Sequence, residues 1–141
     1  MGGGALVYRL TTVRQRTVAT MLSRDDAERS VCRLETIGRT SGLPREIEIW
    51  FAADGDRVYL LSGGRDDAHW VRNLRVEPRV RVRIGRRWFS GVAREIEGEA
   101  DETKARQLLG AKYQGWREGR PLSEWARDSL PIRIDLSNAA S

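Results

Sequence analysis

Arg79-Val80-Arg81-Val82-Arg83-Ile84, the turn Gly85-Arg86 and the returning segment Trp88-Phe89-Ser90-Gly91-Val92-Ala93 decide the fold. Charged and apolar residues alternate strictly through the first of these segments, which is the period of a half-buried β-strand. Its three arginines therefore lie on one face, and its two valines and its isoleucine on the other. A glycine turn followed by a second apolar segment predicts an antiparallel hairpin, in which Gly91 relieves a bend.

Four other segments have a strand-like period, namely residues 31–37, 45–51, 57–62 and 130–136. Short polar turns at 38–42 and 53–56 join the first three as hairpins. Helices are predicted at 68–74, with Asp66 or Asp67 as N-cap, at 101–116, and briefly at 123–127. Six strands joined by tight turns predict a mainly β, α+β fold, either a small antiparallel barrel or a strongly curled sheet with flanking helices.

The 141 residues suffice for one domain with its own core. We expect a weak amphipathic helix or an arm at 1–24, one barrel domain at 25–137 and a frayed tail at 138–141. No apolar run reaches the ~18 residues that a membrane span needs, and residues 5–24 are a candidate for a lid, an arm or a peripheral membrane contact. A single cysteine, Cys32, is typical of a reducing compartment, so we expect a cytoplasmic protein. The oligomeric state is not determined by these features, so both a monomer and a homodimer stay open.

The basic residues are almost all arginines: only Lys104 and Lys112 are lysines, so 23 of the 25 are Arg. The planar Arg fork fits phosphate and carboxylate groups, which favours an anionic partner, although a GC-rich coding bias has the same effect. One hypothesis is a basic barrel that binds nucleic acid, with aromatic residues as a stacking platform. The aromatic candidates are Trp50, Tyr59, Trp88 and Phe89. However, no aromatic residue stands among the alternating arginines 79, 81 and 83, and a solvated sheet face explains them equally well.

The loop Gly38 to Gly42 is the first candidate site. Its two glycines permit a backbone that turns successive N–H groups inward, as oxyanion sites require. Side-chain and backbone donors stand in or beside this loop, at Arg39, Thr40, Ser41, Gly42 and Arg45. A simple hairpin connection with polar residues explains the loop as well, if it is considered alone.

A second candidate lies between a strand end and a helix start, at Ser62, Gly63, Gly64 and Arg65. Free N–H groups and the dipole of a helix N-terminus attract phosphate. A glycine pair before a helix is more often only a turn. Two loops of this kind, both at strand ends and both flanked by Arg, favour a phosphorylated ligand lying between them.

No residue set for protein-based catalysis stands out. His69 is the only histidine and is predicted on a helix surface, and Cys32 is predicted as a buried structural thiol. No cluster has metal-ligand spacing, so no metal is expected. A catalytic function would therefore require a bound organic cofactor that carries the chemistry.

Several segments together resemble one known family. They are Leu34-Glu35-Thr36-Ile37-Gly38-Arg39-Thr40-Ser41-Gly42-Leu43-Pro44-Arg45, Ser62-Gly63-Gly64, Trp70-Val71-Arg72-Asn73-Leu74-Arg75, Pro78-Arg79-Val80, Lys112-Tyr113-Gln114 and Pro131-Ile132. In this order, over about residues 31–136, the chain resembles the deazaflavin-dependent nitroreductase family. Members of that family reduce quinones, nitro compounds or activated alkenes with reduced coenzyme F420.

The resemblance implies a split β-barrel of the flavin-reductase type, similar to FMN-binding and pyridoxamine-phosphate-oxidase-like proteins. It implies that Arg39, Thr40, Ser41, Gly42 and Arg45 hold the phosphate and acidic tail of F420. Ser62, Gly63, Gly64 and Arg65 are implied beside its ring or ribityl arm. Trp70 and Asn73 match the family pattern, either at the cofactor or in packing and capping. Tyr113 matches a tyrosine on the acceptor side of the ring, where a phenol orients or protonates the acceptor.

The chain departs from the family pattern on the acceptor side. Gly110 stands where some members have a further tyrosine, and the segment Gly115 to Ser129, with Trp116 and Trp125, is longer than usual. The small-molecule electron acceptor is thus less determined than the cofactor. Three alternatives stay open: an FMN oxidoreductase on the same barrel, the nucleic-acid module, and a barrel that only stores or carries its ligand.

Overall fold

The computed structural model describes residues 21–140, and these form seven strands and four α-helices. In chain order the elements are α1 (Arg24–Glu28), β1 (Cys32–Ile37), β2 (Pro44–Ile49), β3 (Ala52–Asp54), β4 (Arg57–Ser62), the 3-10 turn Arg65–Asp67, α2 (His69–Val76), β5 (Arg79–Ile84), β6 (Arg87–Glu95), α3 (Glu99–Gln114), α4 (Glu124–Asp128) and β7 (Leu130–Ala140). Most of the arm predicted at 1–24, with its candidate membrane contact, lies outside the described residues. Within 21–140, no helix is long and apolar enough to cross a membrane.

The sheet curls into a barrel because its two edge strands are neighbours in sequence. All pairs are antiparallel, in the order β2-β1-β5-β6-β7-β4-β3. Only Trp50 and Phe51 separate edge strand β2 from edge strand β3. Such a link spans about 11 Å at most, whereas a flat seven-stranded sheet is about 29 Å wide. The edges must therefore approach each other, and the predicted mainly β fold with flanking helices is confirmed.

The predicted number of six strands is wrong. Strand β1 begins at Cys32, the partner of Ile49, so β2 has no sheet partner beyond Ile49. The chain then crosses to β4, where Ala52 pairs with Tyr59. Residues 52–54 thus form a seventh strand where we expected the end of one strand and the start of a turn.

Two apolar clusters hold the barrel and its helices together. The first fills the barrel interior and includes Leu34, Phe51, Val82, Phe89 and Ile134. The second lies between the outer face of β4 and helices α3 and α4, and comprises Ala52, Tyr59, Leu61, Ala105, Leu109 and Ala126. Because both faces of β4 are covered, its residues 58–62 are all buried. Helix α3 is thereby fixed against the barrel wall close to the β2–β3 crossing.

The alternating arginines lie on the outer face of β5, as predicted, while the apolar residues between them are buried. The Arg79 guanidinium lies 2.8 Å from Glu77, and that of Arg81 lies 3.5 Å from Glu35. The guanidiniums of Arg81 and Arg83 also lie over the ring of Trp88, at 4.4 Å and 5.8 Å from its centroid. Carboxylates and an aromatic ring therefore compensate much of this basic face.

Two element boundaries differ from the prediction. Strand β7 continues to Ala140, which pairs with Trp88, where we expected a frayed tail over 138–141. The N-cap of α2 is Ala68, not Asp66 or Asp67, which lie in the preceding 3-10 turn. In the described chain no side chain caps α2, so its first N–H groups remain available.

Candidate functional site

The loop between β1 and β2 is folded by its own backbone. The Gly38 N–H donates to the Leu43 carbonyl at 2.8 Å, and the Gly42 N–H donates to the Gly38 carbonyl at 2.8 Å. Gly42 has a φ of +72°, in the left-handed region that side chains disfavour. These bonds hold Arg39, Thr40 and Ser41 outward at the end of the sheet.

Ser41 connects the loop to the start of β2. Its Oγ accepts from the Leu43 N–H at 3.1 Å and from the Arg45 Nη2 at 3.3 Å. A Cβ at Gly38 would lie 2.5 Å from this Oγ, so a larger residue there would displace the Ser41 hydroxyl from its present position. Ser41 therefore orients the guanidinium of Arg45 toward the loop.

Asn73 joins the same loop to helix α2. Its Oδ1 accepts from the Arg39 backbone N–H at 3.1 Å and from Arg39 Nη1 at 2.8 Å. Its Nδ2 donates to the Thr36 Oγ1 at 3.2 Å, in a buried contact. Asn73 and Thr36 are 4% and 1% exposed, so this network is desolvated and fixes the Arg39 position.

His69 was predicted as a helix-surface residue, and it is exposed, but it also contacts the loop. The Arg39 Nη2 lies 3.2 Å from the His69 Nδ1. Because a guanidinium only donates, Nδ1 must accept, and the ring proton of the neutral imidazole is on Nε2. This tautomer is assigned from the Arg39 contact, and the hydrogen bond makes His69 a further residue that holds the Arg39 side chain in place.

These residues line one cavity of about 570 Å³ at the edge strand β2. Its lining residues are Thr36, Gly38, Arg39, Thr40, Ser41, Arg45, Glu46, Ile47, His69, Trp70 and Asn73. Two guanidiniums, three hydroxyl groups and the uncapped start of α2 lie around this cavity, together with a single carboxylate. A set composed of charged and neutral donors suits a phosphate or carboxylate ligand.

The structure thus brings together most of the first predicted loop, with Trp70 and Asn73. Thr36, Glu46, Ile47 and His69 line the cavity and were missed as site residues. Thr36 and Ile47 resemble ordinary strand residues in the sequence, and only the hairpin brings them beside the loop. His69 had a usable signal, since it stands at the start of the helix that follows the second loop.

The second predicted loop lies apart from this cavity. The Ser62 Oγ donates to the Arg65 carbonyl at 3.1 Å, and Arg65 has a φ of +51°, which is unusual outside glycine. The Arg65 guanidinium donates to the Asp128 carbonyl at the end of α4. A Cβ at Gly63 would lie 3.7 Å from the Trp125 ring. Arg65 is therefore turned toward α4, and Gly63 faces Trp125.

Tyr113 lies in an aromatic group at the β2–β3 crossing. Its ring stacks on Trp50, with centroids 4.4 Å apart and planes 3° apart, and Trp125 meets Trp50 edge-on at 5.3 Å. The Tyr113 hydroxyl accepts from the Phe51 N–H at 3.1 Å. It lies 2.7 Å from the Ser30 carbonyl and 2.9 Å from the Phe51 carbonyl, to one of which it donates. Burial raises the pKa of this phenol, so it is held neutral.

A smaller cavity of about 290 Å³ lies beside this aromatic group. It is lined by Val31, Glu48, Ile49, Trp50, Leu61 and Trp125. Strand β2 contributes to both cavities, because Ile47 lines the first and Ile49 the second. Leu61 directly precedes the second predicted loop. The second cavity therefore lies between β2 and the region of Ser62 and Gly63.

Cys32 is a buried thiol, as predicted, with 2% of its surface exposed. Burial raises its pKa to about 12, so it is protonated at neutral pH. Within residues 21–140 no group of His, Cys, Asp or Glu could hold a metal ion.

We expect Asn73→Ala to lower the free energy of unfolding by about 2 kcal/mol, since it removes three hydrogen bonds and leaves the buried Thr36 hydroxyl without this partner. Urea denaturation followed by circular dichroism measures the change. Thr40→Ala is the matched control, because Thr40 is an exposed residue of the same loop. Equal midpoints for the two variants would contradict the role of Asn73 as the buried link.

Residues 7–136 match a family model described as F420H2-dependent quinone reductase. This match covers most of the chain and includes all the candidate site residues.

Three solved structures have a similar fold. An F420-H2 dependent reductase aligns with a TM-score of 0.57 and 24% identity, over 77% of this chain and 95% of that chain. An FAD-binding protein from Mesorhizobium loti aligns with a TM-score of 0.57 and 20% identity, over 85% and 96%. A candidate pyridoxamine 5'-phosphate oxidase from Listeria innocua aligns with a TM-score of 0.62 and 19% identity, over 82% and 90%. At these identities the likeness shows the fold, and it confirms the predicted FMN-binding and pyridoxamine-phosphate-oxidase-like barrel.

Proposed function

The chain belongs to the family of F420H2-dependent quinone reductases, and from this premise we propose that it transfers a hydride from reduced F420 to a small electrophilic acceptor. Quinones are the acceptor class we propose first, followed by nitro compounds and activated alkenes. The observation that supports this most is the donor-lined cavity at β2, together with a second cavity with aromatic walls at the end of the same strand. We keep a cytoplasmic monomer or homodimer as part of the proposal.

The residues of the first cavity fit the acidic end of F420. Arg39 and Arg45 provide two forks for phosphate or carboxylate oxygens, and Thr40 and Ser41 add hydroxyl donors. The Gly38 backbone leaves no room for a Cβ, so the loop stays closely wound beneath these donors. We propose that Arg39, Thr40, Ser41, Gly42 and Arg45 bind the anionic tail.

The second cavity fits a ring better than an anion. Of its lining residues only Glu48 is charged, and the others are aliphatic or indole side chains. Arg45 in β2 and Trp50, directly after β2, are five residues apart. In extended chain this separates the two cavities by about 17 Å. We propose that Ser62, Gly63 and Gly64 lie beside the ring, since Gly63 and Leu61 face this cavity or its Trp125 wall. We propose that Arg65 supports the ring site indirectly, because its guanidinium binds the Asp128 carbonyl and so holds the end of α4.

Bound F420 in its reduced form supplies two electrons as a hydride, and a quinone that takes up this hydride and one proton from water leaves as the hydroquinone. The protein orients the two rings and excludes water from between them. Trp70 and Asn73 support the tail cavity, Trp70 as a lining residue and Asn73 through Arg39. The donors that stabilise the anionic tail thus contribute to the binding and orientation of the cofactor.

Tyr113 is the residue for which the geometry argues a different role from proton donation. Its hydroxyl is occupied by backbone groups of Phe51 and Ser30, and its ring is covered by Trp50. A phenol in that position is poorly placed to protonate an acceptor. We propose that Tyr113 positions the β2–β3 crossing.

The deciding experiment titrates the purified protein with F420 and, separately, with FMN, followed by fluorescence. We expect F420 to bind at micromolar concentrations, and menadione to accelerate oxidation of reduced F420. Retention of FMN without F420 binding would instead support the FMN oxidoreductase. Binding of F420 without turnover across quinones, nitro compounds and activated alkenes would support a storage or carrier barrel.

The nucleic-acid hypothesis is the weaker one on this geometry. Arg79 and Arg81 are paired with carboxylates, and Trp88 is covered by two guanidiniums. A stacking platform needs open aromatic faces in a positive groove. Salt-sensitive binding of single-stranded DNA, without binding of either ring cofactor, would revive that hypothesis.

A further inference from the structure

We propose that Trp50 is the acceptor-specificity residue of this enzyme: an indole platform on which fused-ring quinones stack, held in place by Tyr113, Lys112 and Trp125. This inference rests on the proposed function. It assigns the acceptor side of the site, and makes Tyr113 and Lys112 positioning residues.

The Trp50 ring contacts two aromatic rings and still has a large exposed surface. Tyr113 stacks on it in parallel at 4.4 Å, and Trp125 meets it edge-on at 5.3 Å. Even so, 41% of Trp50 is exposed, which places it among the few large apolar side chains that the described residues leave open to solvent. Trp50 and Trp125 also line the cavity of about 290 Å³ between β2 and Leu61. The exposed indole surface therefore offers an acceptor ring an offset-stacked position. Because the cofactor ring is proposed on the Ser62 and Gly63 side of the same cavity, the acceptor would lie between that ring and Trp50.

The backbone that carries Trp50 is fixed by side chains of α3 and not by a sheet partner. At Phe51 the chain is between strands, and its N–H donates to the Tyr113 Oη at 3.1 Å. The Phe51 carbonyl accepts from the Lys112 Nζ at 2.9 Å. Lys112 also donates to the Ala27 carbonyl at 3.0 Å, and its ammonium lies 3.9 Å from the Phe51 ring centroid. Two consecutive residues of α3 thus hold the crossing and the Trp50 plane.

Trp125 is fixed from the other side. Ser123 caps α4, with its Oγ accepting from the Ala126 N–H at 3.1 Å. Arg106 Nη1 donates to the carbonyls of Ala126 and Ser129, at 2.9 Å and 2.8 Å, and so closes the C-terminal end of α4. The longer segment after α3 therefore ends in a short, doubly anchored helix that presents Trp125 to Trp50.

The test compares menadione, with two fused rings, and benzoquinone, with one, in the full-length protein. We expect Trp50→Leu to raise KM for menadione about tenfold, and that for benzoquinone at most threefold, with kcat changed less than twofold. Trp50→Phe should recover most of the loss for menadione. Trp88→Leu is the matched control, an indole on the outer face of β6 that lines neither cavity, and it should leave both KM values within twofold of wild type. Equal rises for both quinones, or none, would overturn the role of Trp50.

Tyr113→Phe separates positioning from proton donation. It keeps the ring stack but removes the hydroxyl, so we expect a roughly threefold rise in KM for menadione and an unchanged pH profile of kcat. Loss of the basic limb of that profile, with a tenfold or greater fall in kcat, would make Tyr113 a proton donor and overturn its assignment.

A second readout does not depend on turnover. Menadione quenching of tryptophan fluorescence gives equilibrium affinities for the wild type, Trp50→Leu and Trp88→Leu. If the wild type binds F420 but reduced F420 is oxidised by none of the acceptors, the proposed function fails. The platform then stands only if Trp50→Leu weakens menadione binding at least fivefold more than Trp88→Leu, and it is overturned if the two variants bind equally.

Discussion

Arg39→Ala is expected to weaken F420 binding about 10- to 100-fold. Hydrogen bonds to a charged group contribute about 1.5–3 kcal/mol, and about 1.4 kcal/mol corresponds to tenfold in affinity. The substitution is clean because the Arg39 backbone N–H still donates to Asn73, so the loop anchor remains. Arg39→Lys keeps the charge without the planar fork, so its F420 affinity should lie between that of the wild type and that of Arg39→Ala. Isothermal titration of each variant with F420 measures the effect.

Arg83→Ala removes the same charge from the outer sheet face, where its guanidinium lies over Trp88. We expect it to change F420 affinity less than twofold, because it is not among the residues that line the cavity. Equal weakening by both substitutions would mean that only the overall positive charge of the chain attracts the cofactor, and the assignment of the loop would be lost.

Gly91→Ala is expected to cost about 3 kcal/mol of unfolding free energy, a large part of the roughly 5–15 kcal/mol of a typical domain. Gly91 lies at a register irregularity of β6. A Cβ there would come within 2.8 Å of the Ile134 Cγ2 and 2.9 Å of the Asp135 carbonyl oxygen. A backbone oxygen in a paired strand cannot move aside without breaking the β6–β7 pairing.

Urea denaturation should show this loss as a midpoint lowered by about 1–2 M with an unchanged slope. Gly64→Ala is the control, since its added Cβ would meet only Ala68, at an ordinary 3.7 Å, and its φ of −79° suits any residue. We expect that variant to unfold within about 0.5 kcal/mol of wild type. A Gly91→Ala protein as stable as wild type would show that the two strands can separate locally without cost.

Much of the fold follows from local pattern. The alternation over 79–84 and the glycine turn at Gly85 determine a hairpin with one buried face, because a strand exposes alternate residues to opposite sides. The Gly38 to Gly42 loop was identified for the same local reason: its glycines determine the backbone, and its donors are adjacent in sequence. The irregularity at Gly91 was expected from a glycine within an otherwise apolar strand.

Other features depend on contacts between distant residues. The seventh strand, β3, has the same period as β2 before it. Nothing in the sequence therefore marks the point before Ala52 where the chain stops pairing with β1 and begins to pair with β4. The Asp66 and Asp67 carboxylates fit an N-cap pattern, yet in the fold they face Arg75 and Arg72. Arg65 is predicted as a ligand for anions, and the docking of α4 adds a carbonyl partner for its guanidinium that no local pattern indicates.

The sequence by itself determined a small antiparallel barrel and, through its resemblance, the F420 cofactor, and it predicted the Gly38 to Gly42 loop as an anion site. Each of these depends on residues that are close in the chain or on a matched pattern. Only the tertiary structure decided which residues stand next to the loop and which groups Tyr113 contacts. Thr36, His69 and Asn73 surround Arg39, and Tyr113 lies under Trp50, because closing the sheet brings its edges and the covering helices together. That closure depends on the two-residue crossing at Trp50 and Phe51. The backbone N–H and carbonyl of Phe51 find their partners on a helix more than 60 residues away.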